Sequence, residues 1–177
     1  METTKWSLDP IHSEINFKVK HMMIANVSGS FNKFNASAET EGNDFTKAKI
    51  NFNAEVNSID TNNEQRDGHL RSPEFFDAEK FPHIKFESTS VEKKNEEEFT
   101  LNGNLTVKDV TKPISLKMNF GGIGKDPYGN TKAGFTVEGK INRKDFGLSW
   151  NAPLETGGVL VGEDLKIQSE IQMLKAQ

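Results

Sequence analysis

The sequence predicts an all-β protein whose strands form one antiparallel barrel. Six stretches alternate apolar and polar residues with a period of two, and none of them has a charge on its apolar face. Because successive side chains of a strand point to opposite faces, each stretch predicts a half-buried strand. The length of 177 residues suits one domain, spanning residues 1–177. We count eight or nine strands and expect a barrel of about eight, since closing that many antiparallel strands into a barrel removes exposed edges.

The predicted strands follow one another with short turns between them. Pro10 stops the first strand, and Glu41–Asp44 is a turn. The alternation changes phase between Phe31 and Phe34 and again near Thr89, which predicts a bulge or bend at each place. The predicted strands are Trp6–Asp9, His12–Met23, Val27–Glu41, Ala48–Val56, His83–Glu92, Phe99–Lys108, Pro113–Phe120, Lys132–Asn142 and Val161–Leu174.

Helical and irregular segments lie between these strands. Thr61 and Glu64 fit a capping box, which predicts a short helix that begins at residue 60 or 61 and runs to about Leu70. Pro73–Asp77 is a candidate second helical turn. A Gly-rich loop and an irregular segment are predicted at Gly121–Asn130 and Arg143–Gly158.

The inward faces are unusually rich in phenylalanine. The chain has 13 Phe but only 2 Trp and 1 Tyr, so most of its aromatic surface lacks a hydrogen-bonding group. This usage is compatible with a packed core or with an apolar cavity, since a barrel of about eight strands can hold one small ligand. Small residues on the inward faces either let the wall bend or leave room; they are Gly29, Ala54, Gly103, Gly139 and Ser169.

Composition excludes several classes of protein. The net charge of -4 and the scattered lysines argue against a nucleic-acid partner. The absence of cysteine excludes disulfides and thiol catalysis. The polar outward faces exclude a lipid-facing barrel, and no apolar run is long enough for a membrane-spanning helix. Because residues 1–6 lack the pattern of a secretory signal, we expect a cytoplasmic protein, or a periplasmic one if a leader has been removed.

Two places in the sequence are candidates for polar chemistry: the cluster at residues 9–13 and His21. Asp9, His12 and Ser13 are the residue types of a hydrolytic triad, but five consecutive residues rarely form one, and hydrogen bonding at a strand start is the alternative. His21 shares the inward face with Phe17 and is either a core histidine or a donor to the polar end of an apolar ligand. No histidine spacing typical of a metal site occurs.

The segment from Arg66 to Arg71 carries two arginines and Asp67. Two arginines near a cavity rim can hold a phosphate through paired hydrogen bonds. Ion pairing on a surface helix is the alternative interpretation.

Several motifs, taken in order, resemble one family. They are WSLDPxHSxIxFxVxH at 6–21, GxFxxF at 29–34, IDTN at 59–62, RDGHLRS at 66–72, FFDxxxFPxIxF at 75–86, GxLxVxxVTKP at 103–113 and INRxDFG at 141–147. The chain resembles the YceI-like family of polyisoprenoid-binding proteins over almost its whole length. The resemblance implies a lipocalin-like antiparallel barrel with a helix near its mouth and an elongated cavity for a lipid-like chain. Many members are exported and often form dimers, and no catalytic residues are carried over.

We therefore expect a non-enzymatic protein that binds, carries or sequesters an apolar lipid without a cofactor. Expected cargoes are a prenyl quinone or other isoprenoid, a polyprenyl phosphate, or a fatty acyl lipid, and a homodimer is possible. The residues expected to line the cavity are Phe17, Val19, Phe31, Phe52, Phe86, Leu101, Leu105, Met118, Phe120, Phe135 and Trp150. Those expected at the ligand's polar head are His21, Arg66 and Arg71. The alternatives are a filled barrel that acts as an interaction or stress-response scaffold, and a lipid-modifying enzyme.

Overall fold

The computed structural model describes residues 2–152, 154 and 160–176, and this part of the chain forms one antiparallel sheet with a single α-helix. The strands are β1 (Thr3–Leu8), β2 (Glu14–His21), β3 (Ala25–Phe31), β4 (Phe34–Glu41), β5 (Asp44–Glu55), β6 (Ile59–Asp60), β7 (His83–Lys93), β8 (Glu98–Val107), β9 (Val110–Lys125), β10 (Thr131–Asn142) and β11 (Val161–Lys175). Helix α1 spans Glu64–Arg71, and 3-10 helices lie at Pro10–His12, Val56–Ser58 and Arg143–Phe146.

The sheet closes into a barrel with eight strand positions. β1 and β2 follow one another along β11, and they pair with β4 and β3 respectively. β1 and β2 therefore occupy one strand position of the barrel with an interruption between them, and β3 and β4 occupy the next position in the same way. Because β1 pairs with both β4 and β11, the sheet has no open edge there. The prediction of an all-β antiparallel barrel of about eight strands is confirmed.

The bounds of two predicted strands differ from those in the structure, at the places where the strands are interrupted. The strand predicted at Val27–Glu41 is two strands separated by Asn32 and Lys33, at the place where the alternation changes phase. The strand predicted at His12–Met23 begins two residues later, because Pro10–His12 is a 3-10 helix. Proline at its first position and the Asp9 carboxylate, which accepts from the Ile11 N–H, stabilise this turn.

The helix has a different cap from the predicted one. Asn63, rather than Thr61, is the N-cap, and its side-chain oxygen accepts from the Arg66 N–H at 3.0 Å. The Thr61 hydroxyl instead donates to Asp67 in the helix at 2.5 Å, so the predicted capping box is wrong. The segment Pro73–Asp77 forms turns and is not helical.

Half of the Gly-rich segment, residues 121–125, is strand. β9 continues to Lys125, and a register shift between Gly134 and Phe135 of β10 accommodates an extra residue of β9. Only residues 126–130 form the loop that Gly121–Asn130 was predicted to form. β5 likewise begins four residues earlier than predicted, at Asp44. Of the segment predicted to be irregular, residues 143–146 are 3-10 helix, and 153 and 155–158 lie outside the described residues.

The inward glycines make room for neighbouring large side chains. A Cβ atom on Gly29 would lie 2.4 Å from the Phe17 ring, and one on Gly103 would lie 2.4 Å from the Phe86 ring. A Cβ on Gly139 would lie 2.2 Å from a methyl group of Leu116. These large side chains therefore lie across the glycines, against the wall of the barrel, instead of projecting to its axis.

Two Gly→Ala substitutions should change stability in opposite directions. Gly103→Ala should lower the free energy of unfolding by about 1–3 kcal/mol, because its methyl group would meet both the Phe86 ring and the Glu87 carbonyl. Gly68→Ala, exposed in α1 with no atom within 4 Å of the new Cβ, should raise it by about 0.5–1 kcal/mol. Denaturant unfolding of both variants measures the difference, and a neutral Gly103→Ala would contradict the packing described here.

Candidate functional site

The barrel encloses an inner cavity of about 200 Å³. Its wall is almost entirely apolar, and Asn16, Arg143 and Ser169 are its only polar residues among those described. Eight of the residues predicted to line a cavity border it: Phe17, Phe31, Phe52, Phe86, Leu101, Leu105, Met118 and Phe135. An apolar cavity of about 150 Å³ can stay dry and bind benzene, so this space is large enough for a segment of hydrocarbon.

Incomplete burial of several inward residues agrees with the free space inside the barrel. Ile50, Ile114 and Ile167 border the inner cavity, yet each of them is only partly buried. Inward side chains of a filled barrel would be fully covered by their neighbours.

An outer cavity of about 480 Å³ lies between one end of the barrel and helix α1. Val19, His21, Arg66 and Trp150, four of the predicted site residues, border it. Trp150 lies against α1 and the turn that follows it, with its ring centroid 4.7 Å from His69 and 5.4 Å from Phe75. This end of the barrel is therefore covered by the helix, as the family resemblance implied.

A partition of aromatic rings separates the two cavities. Phe17, Phe31 and Phe76 border both spaces. The Phe31 ring centroid lies 5.5 Å from that of Phe17 and 6.2 Å from that of Phe76. A ligand longer than either cavity must therefore displace this partition to occupy both.

The opposite end of the barrel is filled by aromatic side chains. Phe45 packs against Trp6, Phe120 and Phe135, with ring centroids 4.8–5.6 Å apart. Phe120 belongs to this cluster and borders neither cavity. Among the described residues, the end beneath α1 is therefore the end of the barrel that retains a cavity.

The two arginines of α1 differ in position. Arg66 reaches the outer cavity and donates to the hydroxyl and carbonyl oxygens of Thr61, at 2.8 and 2.5 Å. Arg71 borders neither cavity and pairs with the exposed carboxylate of Glu64 at 2.9 Å. Asp67 is buried and accepts from the N–H and hydroxyl of Thr61, so it does not take part in surface ion pairing.

Arg143 is a buried cation that sequence reasoning did not single out. It is 4 % exposed, borders both cavities and donates to the backbone carbonyls of Leu148, Trp150, Val161 and Gly162. Burial lowers its pKa, and the charge of Glu163 opposes that shift. Its position after a predicted strand was visible in the sequence, but two of the four carbonyls belong to β11, 18 and 19 residues further along the chain, and local patterns do not reveal that contact.

The cluster at Asp9 is not a catalytic triad. His12 Nδ1 lies 2.8 Å from Asp9 Oδ2, but the Ser13 hydroxyl donates to the Gln172 carbonyl and accepts from the Gln172 N–H. Lys132 Nζ lies 2.7 Å from the same Asp9 oxygen. The cluster borders neither cavity and fixes the junction of β1 and β2 to β10 and β11. This arrangement favours the alternative of hydrogen bonding at a strand start.

Among the described residues, no group of three or more His, Cys, Asp or Glu side chains could hold a metal ion. Within the same residues, no helix has the length and apolar character needed to cross a membrane.

The fold and the site together define a closed β-barrel with an apolar interior cavity. The sequence model of the family described as YceI-like domain matches residues 6–173, so the chain belongs to the YceI-like family. It is 38% identical over 170 residues to the UPF0312 protein SA2479 of Staphylococcus aureus strain N315, covering 96% of each chain.

Solved structures share this fold. The YCEI protein of Campylobacter jejuni is 31% identical, with a TM-score of 0.76 and coverage of 96% of this chain and 97% of that one. A polyisoprenoid binding domain from Saccharophagus degradans is 14% identical, with a TM-score of 0.71 and coverage of 97% and 98%. At that identity the second likeness shows the fold alone.

The Asp9 cluster predicts a pH-dependent contribution to stability. The hydrogen bond from Lys132 lowers the pKa of Asp9, burial opposes that shift, and His12 adds to it. A carboxyl whose pKa is lower in the folded state stabilises the fold above its unfolded pKa, and this stabilisation is lost as the pH falls through the folded value. Asp9→Asn should therefore destabilise the protein by roughly 1–3 kcal/mol at neutral pH and by much less in strong acid.

Denaturant unfolding across the acidic range measures this difference. Asp109→Asn, in the exposed turn between β8 and β9, is the matched control and should leave stability nearly unchanged. The difference in free energy of unfolding between Asp9→Asn and the unsubstituted protein should shrink in acid. A difference that stays constant down to pH values below the Asp9 pKa would contradict the stabilising role of the Asp9 carboxylate.

Proposed function

We propose that this protein binds the apolar chain of an isoprenoid or fatty acyl lipid inside the barrel and carries or sequesters it. The observation that supports this most strongly is the apolar inner cavity, which lies next to a second cavity beneath α1 and is separated from it by three aromatic rings. Moving each methylene group from water into such a space contributes about 0.8 kcal/mol. A long hydrocarbon chain therefore needs few specific contacts to bind tightly.

The polar end of the ligand is proposed to lie in the outer cavity. His21, Arg66 and Arg143 border this space, whereas the inner cavity is lined almost entirely by apolar atoms. Arg66 and Arg143 supply positive charge near any phosphate or carboxylate there. The head-group role of Arg71 stays a prediction, because that side chain pairs with Glu64 outside both cavities.

The relatives support an apolar ligand. The S. degradans domain with this fold is described as polyisoprenoid binding, and the inner cavity of this chain is apolar, as a polyisoprenoid chain requires. We infer binding rather than catalysis, because the Asp9 cluster borders neither cavity and the inner wall offers Arg143, Asn16 and Ser169 as polar groups. A cytoplasmic location and a homodimer stay predictions from the sequence.

Native mass spectrometry of the protein purified from its own cells tests this function. The expected result is a folded protein that carries one lipid-sized adduct, released on denaturation and extracted into organic solvent. Protein that arrives without any adduct, and takes up none from added prenyl quinone, polyprenyl phosphate or fatty acid, would contradict the proposal and favour a scaffold.

Removal of one partition ring should change the cargo. Phe31→Ala joins the two cavities, so the variant should take up longer chains relative to short ones than the unsubstituted protein does. Phe99→Ala is the matched control, since Phe99 is equally buried but borders neither cavity. Both variants should lose about 3–5 kcal/mol of stability at most. An identical chain-length preference in the two variants would show that Phe31 does not separate the cavities.

A further inference from the structure

The hairpin between β2 and β3 ends in three exposed apolar residues. Met22, Met23 and Ile24 are 43%, 57% and 80% exposed. Met22 and Met23 have φ angles of 54° and 62°, a left-handed conformation that residues with a side chain rarely adopt. Turns of this kind favour asparagine and glycine. The hairpin tip therefore presents apolar side chains to solvent where smaller or polar residues would be more stable.

This tip lies at the rim of the outer cavity. The Met22 N–H donates to the Leu160 carbonyl at 2.7 Å, and Leu160 and His21 both border that cavity. The apolar tip is thus next to the end of the barrel that retains a cavity. Exposed apolar patches beside a binding site are typical of surfaces that contact a partner or a membrane.

A row of lysines lies on the outer face of β2 and of the next two strands in the sheet, β11 and β10. Lys18 of β2 is directly opposite Lys166 of β11, which is directly opposite Lys140 of β10. Like charges placed directly opposite one another destabilise a sheet. Lys140 is within 3.6 Å of Asp164, but none of the ion pairs among the described residues includes Lys18, Lys20 or Lys166. Positive charge is therefore concentrated beside the tip in a chain whose net charge is -4.

We propose that the Met22–Ile24 tip and the adjacent lysines dock the protein on an anionic lipid bilayer, from which the cargo enters the outer cavity. The inference rests on the proposed function, since an apolar cargo resides in a membrane before it is bound. Apolar side chains that insert at the headgroup level, together with lysines that face anionic lipids, are the two components of interfacial binding. Two acidic residues near the row, Glu163 and Asp164, are engaged by Lys144 and Lys140. Glu138, two residues from Lys140 on the same face of β10, faces the row from the side away from the tip.

Flotation with vesicles of phosphatidylcholine, with and without phosphatidylglycerol, tests the docking. The variant Met22→Asn/Met23→Gly/Ile24→Ser should fold normally, because Asn-Gly suits this turn, and should lose about tenfold or more of its binding to anionic vesicles. Lys18→Gln/Lys20→Gln should abolish the preference for anionic over neutral vesicles.

Tyr128→Ser is the matched control for the tip. Tyr128 is 89% exposed and lies in the β9–β10 loop, so its replacement should leave vesicle binding unchanged. Undiminished vesicle binding by the triple variant, an equal loss with Tyr128→Ser, or no preference of the unsubstituted protein for anionic vesicles would overturn the proposal.

Loading assays separate this proposal from the proposed function. A fluorescent fatty acid added from ethanol should load equally into the unsubstituted protein and the triple variant, whereas loading from anionic vesicles should be slower in the variant. Normal loading from ethanol without vesicle binding would refute only the docking. Failure of the unsubstituted protein to load a fatty acid, a prenyl quinone or a polyprenyl phosphate from ethanol would refute the proposed function itself.

Discussion

Closure of the sheet through β1 is the constraint on which the cavity depends. β1 is six residues long, yet its hydrogen bonds to β4 and β11 remove the edges that those strands would otherwise expose. Trp6 anchors it: the ring is buried against Phe45, and the indole N–H donates to the Thr40 hydroxyl at 2.9 Å. Without this closure the apolar wall would face water.

The number of strands and the placement of glycines then leave the barrel hollow. An eight-stranded barrel has an interior just wide enough to be filled by side chains or to hold one small ligand. In this chain the Phe17 and Phe86 rings lie across Gly29 and Gly103, and thus against the wall. The end around Phe45 is filled by aromatic rings, and the inner cavity extends from there to the three rings that separate it from the outer cavity beneath α1.

Alternation of apolar and polar residues predicted most of the fold because strand pairing in a barrel follows that pattern locally. Eight of the residues expected to line a cavity border the inner one, and Val19, His21, Arg66 and Trp150 border the outer one. The alternation failed where distant contacts decide the local structure. The sequence suggested Thr61 as a helix cap, but its hydroxyl donates a hydrogen bond to the buried Asp67. Gly121 was expected in a loop, but that segment pairs with β10 through a bulge.

The same reason explains the parts of the site that the sequence did not reveal. Arg143 and Phe76 come from segments without regular alternation, and they reach the cavities through contacts with residues far away in the chain. Phe31, in contrast, was predicted as lining, but its role in separating two spaces depends on the rings of Phe17 and Phe76.

Affinity for a homologous series of fatty acids measures most directly whether burial of a hydrocarbon chain drives binding. The account predicts that affinity rises about fourfold with each added methylene, equivalent to about 0.8 kcal/mol, until the two cavities are full, and then levels off. An affinity that does not depend on chain length, or that depends only on the charged head, would contradict it.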